Sequence, residues 1–382
     1  MKYKTFAIFL VFLAMGFGDA VGPLVSLAKD TFGISNAMAQ LLPMTGLLMF
    51  GLFSIPVGLL QDKKGKVLIL TLGMLLALLG LGIPVVGGMK HFGLLIISVA
   101  LLGAGATFLQ VSGNPLMRDV SPEGKYSRNL SLGQFIKAIG TLSTAAIPLI
   151  ARNYFSGDWT IIFPIFSTVI FITVIIVRTA GIKESRSGES RSATFRSCFA
   201  LLSDRYVLIM VLGIFLYVGA EICMSTGMPL YLEEQYGVNI QQLGLAGTGL
   251  FFLAIMTGRL LGGIILNWMS AKRFLVLTVA ISLLGLAGLF LGIKAVGFIS
   301  AFVIGLGFAN IFPLVFSITL DKMPERANEL SGLMITAIIG GAILPPLMGL
   351  LADSTSVIIG FIVPIAAMFY IGWMAVKVMR AR

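Results

Sequence analysis

The side chains best placed for chemistry in this 382-residue chain are ionisable groups and amides set inside long apolar runs. Asp19 lies in the stretch MGFGDAVG, where Gly16, Gly18 and Gly22 let backbone or a solute approach closely. A carboxylate desolvated there is driven toward its protonated form, and a neighbouring cation drives it back. Such a group can take up a proton in one state and release it in another. Lys137 lies about 13 Å of helix beyond Arg128, which begins its apolar run. Its stem cannot comfortably snorkel that far, so it must meet an aqueous cavity or an anion, and Asp19 is the obvious partner. Gln134 is one turn away on the same face, so an amide and an ammonium are presented together. Gln110 and Asn114 also share a face, and Pro115 frees a backbone carbonyl beside them. Paired amides can both donate to and accept from hydroxyl groups. Glu221 follows Tyr217 by one turn. Asn310 follows Gly305 and Gly307 and precedes Pro313, a broken-helix pattern. The plainer alternatives are a locked Asp19–Lys137 pair and amides that only glue helices together. Arg259 is about two turns from a span end, where snorkelling is feasible, and is expected to gate or pack.

These residues need a scaffold, and composition names its solvent. The chain is 58% hydrophobic and only 11% charged, whereas soluble domains carry about 25% charged residues. So thin a polar surface cannot wrap so large a core, and lipid must lie outside. Apolar runs long enough to span a bilayer as helix fall near 5–29, 38–61, 66–87, 92–117, 129–151, 160–180, 206–231, 241–266, 272–293, 296–320, 328–351 and 354–378. The runs are continuous, with no two-residue alternation, which excludes a transmembrane barrel. The expected fold is an all-α membrane protein of twelve transmembrane helices. A charge at the centre of such a helix costs roughly 2.5–3.5 kcal/mol on insertion scales, which is why each buried ionisable group marks a candidate site.

The net charge of +11 sorts by side. Lys29, Lys90, Arg152 and Lys294 occupy one set of loops, and Lys137 and Arg259 lie inside spans. Every other Lys and Arg falls at the termini, in the loops after even-numbered spans, or at the span ends that border them. The basic excess is therefore topology, with both termini cytoplasmic in a multi-pass plasma-membrane protein, and nucleic-acid binding is excluded. The first run could imitate a secretory signal but is too long and carries Asp19. Cys198 and Cys223 build no disulfide framework. With His91 the single histidine and no nucleophile–base set, neither a metal, another cofactor nor an enzyme activity is expected.

The spans repeat. Residues 181–205 form the long polar stretch and divide an N-terminal six-helix bundle, 1–180, from a C-terminal one, 206–382. Phe32-Gly33 corresponds to Tyr236-Gly237, Gly58 and Asp62 to Gly263 and Asn267, Gly103 and Gly105 to Gly305 and Gly307, and Pro122-Glu123 to Pro324-Glu325, all at nearly one offset. Parallel repeats with a site at mid-membrane are a transporter architecture. The loop after the second span carries Gly58, Asp62, Lys63, Gly65 and Lys66. Its glycines permit a tight turn, and Asp62 can cap a helix N-terminus and pair with a cation, Arg118 being the candidate. This loop is expected to latch the cytoplasmic side in one state.

That loop matches G-x-x-x-D-[RK]-x-G-[RK] and so resembles the major facilitator superfamily. Asp19, Asn114-Pro115, FLYVGAE ending at Glu221, and IFPLVFS from Ile311 to Ser317 are similar to the fucose–galactose–glucose:proton symporter family within it. The resemblance implies the major facilitator fold and ties Asp19 to sugar binding and proton coupling. It also implies a glutamate where this chain has Gln110 and an amide where it has Lys137. Losing a titrating group and gaining a cation fits an anionic sugar as well as a neutral one.

The expectation is a secondary active importer of a sugar or sugar acid, working as a monomer in the lipid bilayer by alternating access and driven by protons. Asp19 and Glu221 would carry protons, and Asp19, Gln110, Asn114, Gln134, Lys137, Glu221 and Asn310 would line the cavity. The rivals are a drug or amphiphile exporter and an uncoupled facilitator of a small polar solute.

Overall fold

A computed structural model of the chain describes residues 2–19, 25, 28–29, 31–39, 41–88, 91–155, 158–184, 194–237 and 248–380, and every regular element among them is a helix. The main helices are α1 (Lys2–Asp19), α2 (Leu41–Lys64), α3 (Lys66–Gly87), α4 (Phe92–Val120), α5 (Tyr126–Phe155) and α6 (Ile162–Thr179). After the linker come α7 (Arg205–Tyr236), α8 (Thr248–Ile265), α9 (Ala271–Leu289), α10 (Lys294–Phe308), α11 (Ile311–Lys322), α12 (Ala327–Thr336), α13 (Gly340–Ser354) and α14 (Ile362–Arg380). The tenth span is thus made of α10 and α11, and the eleventh of α12 and α13. Among the described residues, ten helical stretches are long and apolar enough to cross a membrane, and the shorter apolar helices Tyr3–Gly18 and Gly249–Ile265 stand in the first and eighth spans. The chain is an all-α membrane protein with two parallel six-helix repeats. Leu79, Leu284, Leu350 and Phe369 stand exposed on helix faces, as lipid contact requires.

The helices pack as two compact units. The first comprises Met1–Tyr126, Ile136–Ala200 and Met323–Thr336. The second comprises Ser127–Phe135, Leu201–Lys322 and Ala337–Arg382. The first turns of α5 thus count with the second unit, and α12 counts with the first.

The sequence repeat has a structural meaning that can be checked residue by residue. Within the first unit a Cβ on Gly103 would lie 3.2 Å from Gly46 of α2, and one on Gly105 would lie 2.7 Å from the Gly73 carbonyl of α3. Within the second, a Cβ on Gly305 would lie 2.6 Å from the Phe251 carbonyl of α8, and one on Gly307 2.7 Å from the Thr278 carbonyl of α9. In both units the same glycine pair lets one helix wedge between two others at backbone contact, the close packing that small residues allow in lipid. The matched turns agree as well. Gly33 and Gly237 both adopt φ of 61°, and each N–H closes the preceding helical turn at 2.9 Å, onto Lys29 and Glu233 respectively. Left-handed backbone at such a helix end favours glycine.

Prolines inside helices raise a second problem. Each lacks the N–H that would serve the carbonyl four residues earlier, and lipid offers no substitute donor. Pro84 orphans the Gly80 carbonyl, and Ser98 Oγ of α4 donates to it at 2.7 Å. Pro115 orphans the Val111 carbonyl, and Ser331 Oγ of α12 donates to it at 2.6 Å. Pro313 leaves the Ala309 carbonyl free at the break between α10 and α11, where Arg259 Nε approaches at 3.4 Å.

Ser98→Ala should therefore destabilise the protein by about 1–3 kcal/mol, the cost of an unsatisfied buried acceptor. Pro84→Ala in the same chain restores the helical donor and should recover most of that loss. Thermal midpoints in one detergent check this; a double variant no more stable than Ser98→Ala would refute the assignment.

Candidate functional site

The first unit holds Gln110, Asn114 and Lys137, all buried. Gln110 and Asn114 lie on α4, one turn apart. The Asn114 backbone carbonyl accepts from Tyr126 at 3.0 Å, but among the described residues the Asn114 side-chain Nδ2 and Oδ1 have no partner, although the residue is fully buried. An amide left so carries a desolvation cost of about 1–3 kcal/mol unless something else meets it. α1 and α5 touch through their backbones. A Cβ on Gly16 would collide with the Lys137 carbonyl, one on Gly140 with the Leu13 carbonyl, and Thr141 Oγ1 donates to the Gly16 carbonyl at 3.2 Å. Lys137 therefore leaves α5 at the level of Gly16, one turn before Asp19. The side chain of Asp19, the last residue of α1, lies outside the described residues.

The second unit holds Gln134, Glu221 and Asn310. Sequence spacing places Gln134 beside Lys137, yet the two belong to different units. Around Glu221 the second unit builds a polar cluster that spacing alone does not reveal. Arg259 turns inward instead of toward its helix end: its Nη2 lies 3.7 Å from Glu221 Oε1, and the two side chains are only 14% and 18% exposed. Its Nη1 reaches the Gln134 carbonyl and its Nε the Ala309 carbonyl, both at 3.4 Å. Tyr217, fully buried one turn before Glu221, donates to the Phe308 carbonyl at 3.0 Å. The break predicted near Asn310 exists, since α10 ends at Phe308 and α11 begins at Ile311. Asn310 Nδ2 donates to the Gly258 carbonyl at 2.6 Å, its amide fills the space a Cβ on Gly262 would need, and its Oδ1 has no partner among the described residues. Its amide nitrogen thus clamps α8 to the break.

The loop at 58–66 is organised around α12. Gly58 gives the closest approach: a Cβ there would lie 3.0 Å from both the Asn328 carbonyl and Gly332 Cα. Asn328 Nδ2 donates to Asp62 Oδ1 at 3.0 Å, and Gln61 Nε2 donates to the Asn328 carbonyl at 3.3 Å. One partner of Asp62 is thus a neutral amide, while Arg118 is half-buried at the end of α4. The expectation that Asp62 caps a helix N-terminus is corrected, because Asp62 lies in the last turn of α2. The carboxylate at the start of α3 comes from the linker: Glu184 Oε2 accepts from Val67 N at 3.0 Å. Gly65, with φ of 92°, makes the corner between the helices and leaves room for that carboxylate. Lys66 is buried and pairs with Asp119 at 2.6 Å, whereas Lys63 is exposed. The linker also grips α12: Ser197 donates to Glu329, Cys198 Sγ lies 3.6 Å from the Glu329 carbonyl, and Arg326, which pairs with Glu329, donates to the Ser197 carbonyl at 3.3 Å. Asp119, Glu184, Asn328 and Glu329 escaped the sequence reading, because no motif spacing distinguishes them from ordinary loop polarity.

Residues 6–338 match the family model described as the Major Facilitator Superfamily, and the chain belongs to that superfamily of membrane transporters. A glucose/galactose transporter of Brucella abortus is 23% identical over 380 residues, covering 95% of this chain and 91% of that one. The Escherichia coli fucose:proton symporter FucP, solved also in an outward conformation, superposes with a TM-score of 0.85 at 18% identity, over 99% of this chain and 98% of that one. The proton:xylose symporter XylE superposes with a TM-score of 0.72 at 16% identity, over 99% of this chain and 94% of that one.

Docking of the linker on α12 is open to chemical test. Burial, helped by the Glu329 carboxylate and opposed by Arg326, pushes the Cys198 thiol up to about 12. An ordinary thiol titrates near 8.5, so the reactive thiolate at neutral pH is roughly a thousandfold scarcer. In a Cys223→Ser background, maleimide should label Cys198 slowly, faster as pH rises, and faster still in Glu329→Ala. Labelling at the rate of a free thiol in the unmodified linker would contradict the docked arrangement.

Proposed function

We propose that the chain is a secondary active importer of a sugar or sugar acid, driven by protons and working by alternating access. The observation that carries this reading is Asn114, a fully buried amide with two donors and two acceptor lone pairs and no partner among the described residues. A hydroxyl-rich solute offers the matching acceptors and donors, and its bonds to the amide offset the desolvation that Asn114 otherwise bears. Gln110, one turn away, extends the same edge. Relatives named as glucose/galactose transporters over nearly the whole chain support a sugar, and the fold shared with sugar:proton symporters supports coupling.

In this reading Asp19 is the proton carrier of the first unit and Lys137 its competing cation. Backbone contact between α1 and α5 at Gly16 supports that pairing. Lys137 also supplies a positive charge for the carboxylate of a sugar acid. Glu221 is the second titrating group, with Gln134 and Asn310 contributing amides. Gly58, Asp62, Lys63, Gly65, Lys66 and Arg118 form the cytoplasmic gate, whose grip on α12 is made in one state and released in another. The protein acts as a monomer in the plasma membrane, with both termini on the cytoplasmic side.

Uptake into liposomes by the purified protein, with and without an inward proton gradient, tests the reading against neutral hexoses, uronates and amino sugars. Accumulation of at least one of these is expected; expulsion of hydrophobic cations with no sugar accumulated would overturn it. Asn114→Ala should cost about tenfold or more in transport, as expected for loss of a buried polar contact. Asp19→Asn should abolish gradient-driven accumulation while counterflow exchange persists, and unimpaired uphill uptake would eliminate Asp19 as the carrier. Lys137→Asn should weaken acidic sugars more than neutral ones; an equal loss for both would make Lys137 a structural partner only.

A further inference from the structure

We propose that Arg259 is a positioning residue that ties the charge on Glu221 to the shape of the break between α10 and α11. The inference rests on the coupling role given to Glu221 above, and its test uses no solute, so either can fail without the other.

The planar fork of the guanidinium points donors in several directions at once. In the second unit Nη2 faces Glu221, Nη1 faces the Gln134 carbonyl, and Nε faces the Ala309 carbonyl. The last of these acceptors is the one that Pro313 deprives of its helical donor. Phe308, its neighbour at the break, has Tyr217 as donor, one turn from Glu221 on α7. The two residues at the broken end thus lean on the two groups that flank the carboxylate.

Among the described residues, α8 brings a charge to Glu221 through Arg259. The other ionisable groups on elements packed against α7 sit near its ends. Lys322 lies over Tyr206, Tyr370 donates to the Ile209 carbonyl, and Lys377 lies over Trp373. Gly297, close after Lys294, packs on Tyr236, and Val357, close after Asp353, bonds Glu234. The anchors on α7 itself, at Tyr206, Ile209, Glu234 and Tyr236, are each three or more turns from Glu221. Tyr217 is the remaining titratable neighbour. Arg259, which faces both the carboxylate and the Ala309 carbonyl, is placed to respond when Glu221 changes charge.

With Glu221 ionised, the guanidinium is neutralised and its fork is held against the break. When Glu221 takes a proton from water onto its carboxyl, that attraction is lost and a sparsely hydrated cation is left uncompensated. Arg259 then moves toward water, and the Ala309 carbonyl loses its donor. A proton on α7 is thereby converted into loosening of the tenth span. Lysine, a single point donor, can pair with Glu221 but cannot hold the other two acceptors in place.

Hydrogen–deuterium exchange on the purified full chain reads the break directly. Amides between residues 305 and 316 should exchange about three- to tenfold faster in Glu221→Gln and in Arg259→Lys than in the wild type, as loss of one supporting bond implies. Amides of α9 should be unchanged. As pH is lowered until Glu221 takes up its proton, with the intrinsic exchange rate divided out, the wild type should approach the rate of Glu221→Gln, while both variants stay flat. The neutral double variant Glu221→Gln/Arg259→Gln guards against a folding failure, and it too should be fast and insensitive to pH. Wild-type protection in Glu221→Gln, a pH response that survives in Arg259→Lys, or faster exchange spread evenly through the second unit would each overturn the inference.

Discussion

A backbone carbonyl that loses its helical donor inside a bilayer must find another within the protein, and that constraint organises the polar chemistry of this molecule. The prolines at 84, 115 and 313 each create such a carbonyl. The donors come from different helices: Ser98 on α4, Ser331 on α12, Arg259 on α8. In each case the replacement bond joins helices that the missing bond would have left independent. A local defect in one helix thus becomes a tie between two. The two ties closest to the proposed chemistry, at Val111 and Ala309, flank Asn114 and Asn310.

Glycine supplies the complementary half of the construction. Gly103 and Gly105 in the first unit, with Gly305 and Gly307 in the second, let one helix of each repeat seat between two others at backbone distance. Packing of this kind needs no hydrophobic driving force between helices, which lipid would not provide.

What the amino-acid sequence disclosed depended on range. The spans, the repeat and the break before Pro313 were legible because hydropathy, spacing and proline act locally. The need for Gly65 was legible too, since its left-handed φ follows from a tight corner. Arg259 was not. Whether an arginine near a helix end snorkels or turns inward depends on an anion from another helix, here Glu221, which spacing cannot report. Asp62 was placed at a helix N-terminus by analogy with turns, but α2 runs through it, and Glu184 from the linker occupies the N-terminus instead. Asn310 was chosen as an amide at a break, and its nitrogen serves the Gly258 carbonyl. Its residue type pointed to polarity at that spot, whereas its partner depended on α8.

The division of the chain into units has a consequence for any attempt to take it apart. Residues 127–135 count with the second unit and 323–336 with the first, and each opens the fifth helix of its own repeat. Severing the polar linker would yield two fragments that each lack a piece of their own unit and carry a piece of the other's. Neither fragment inherits a finished core. Split versions of this protein should be assembled by making both parts in one membrane, where the exchanged segments can find their places as the helices pack.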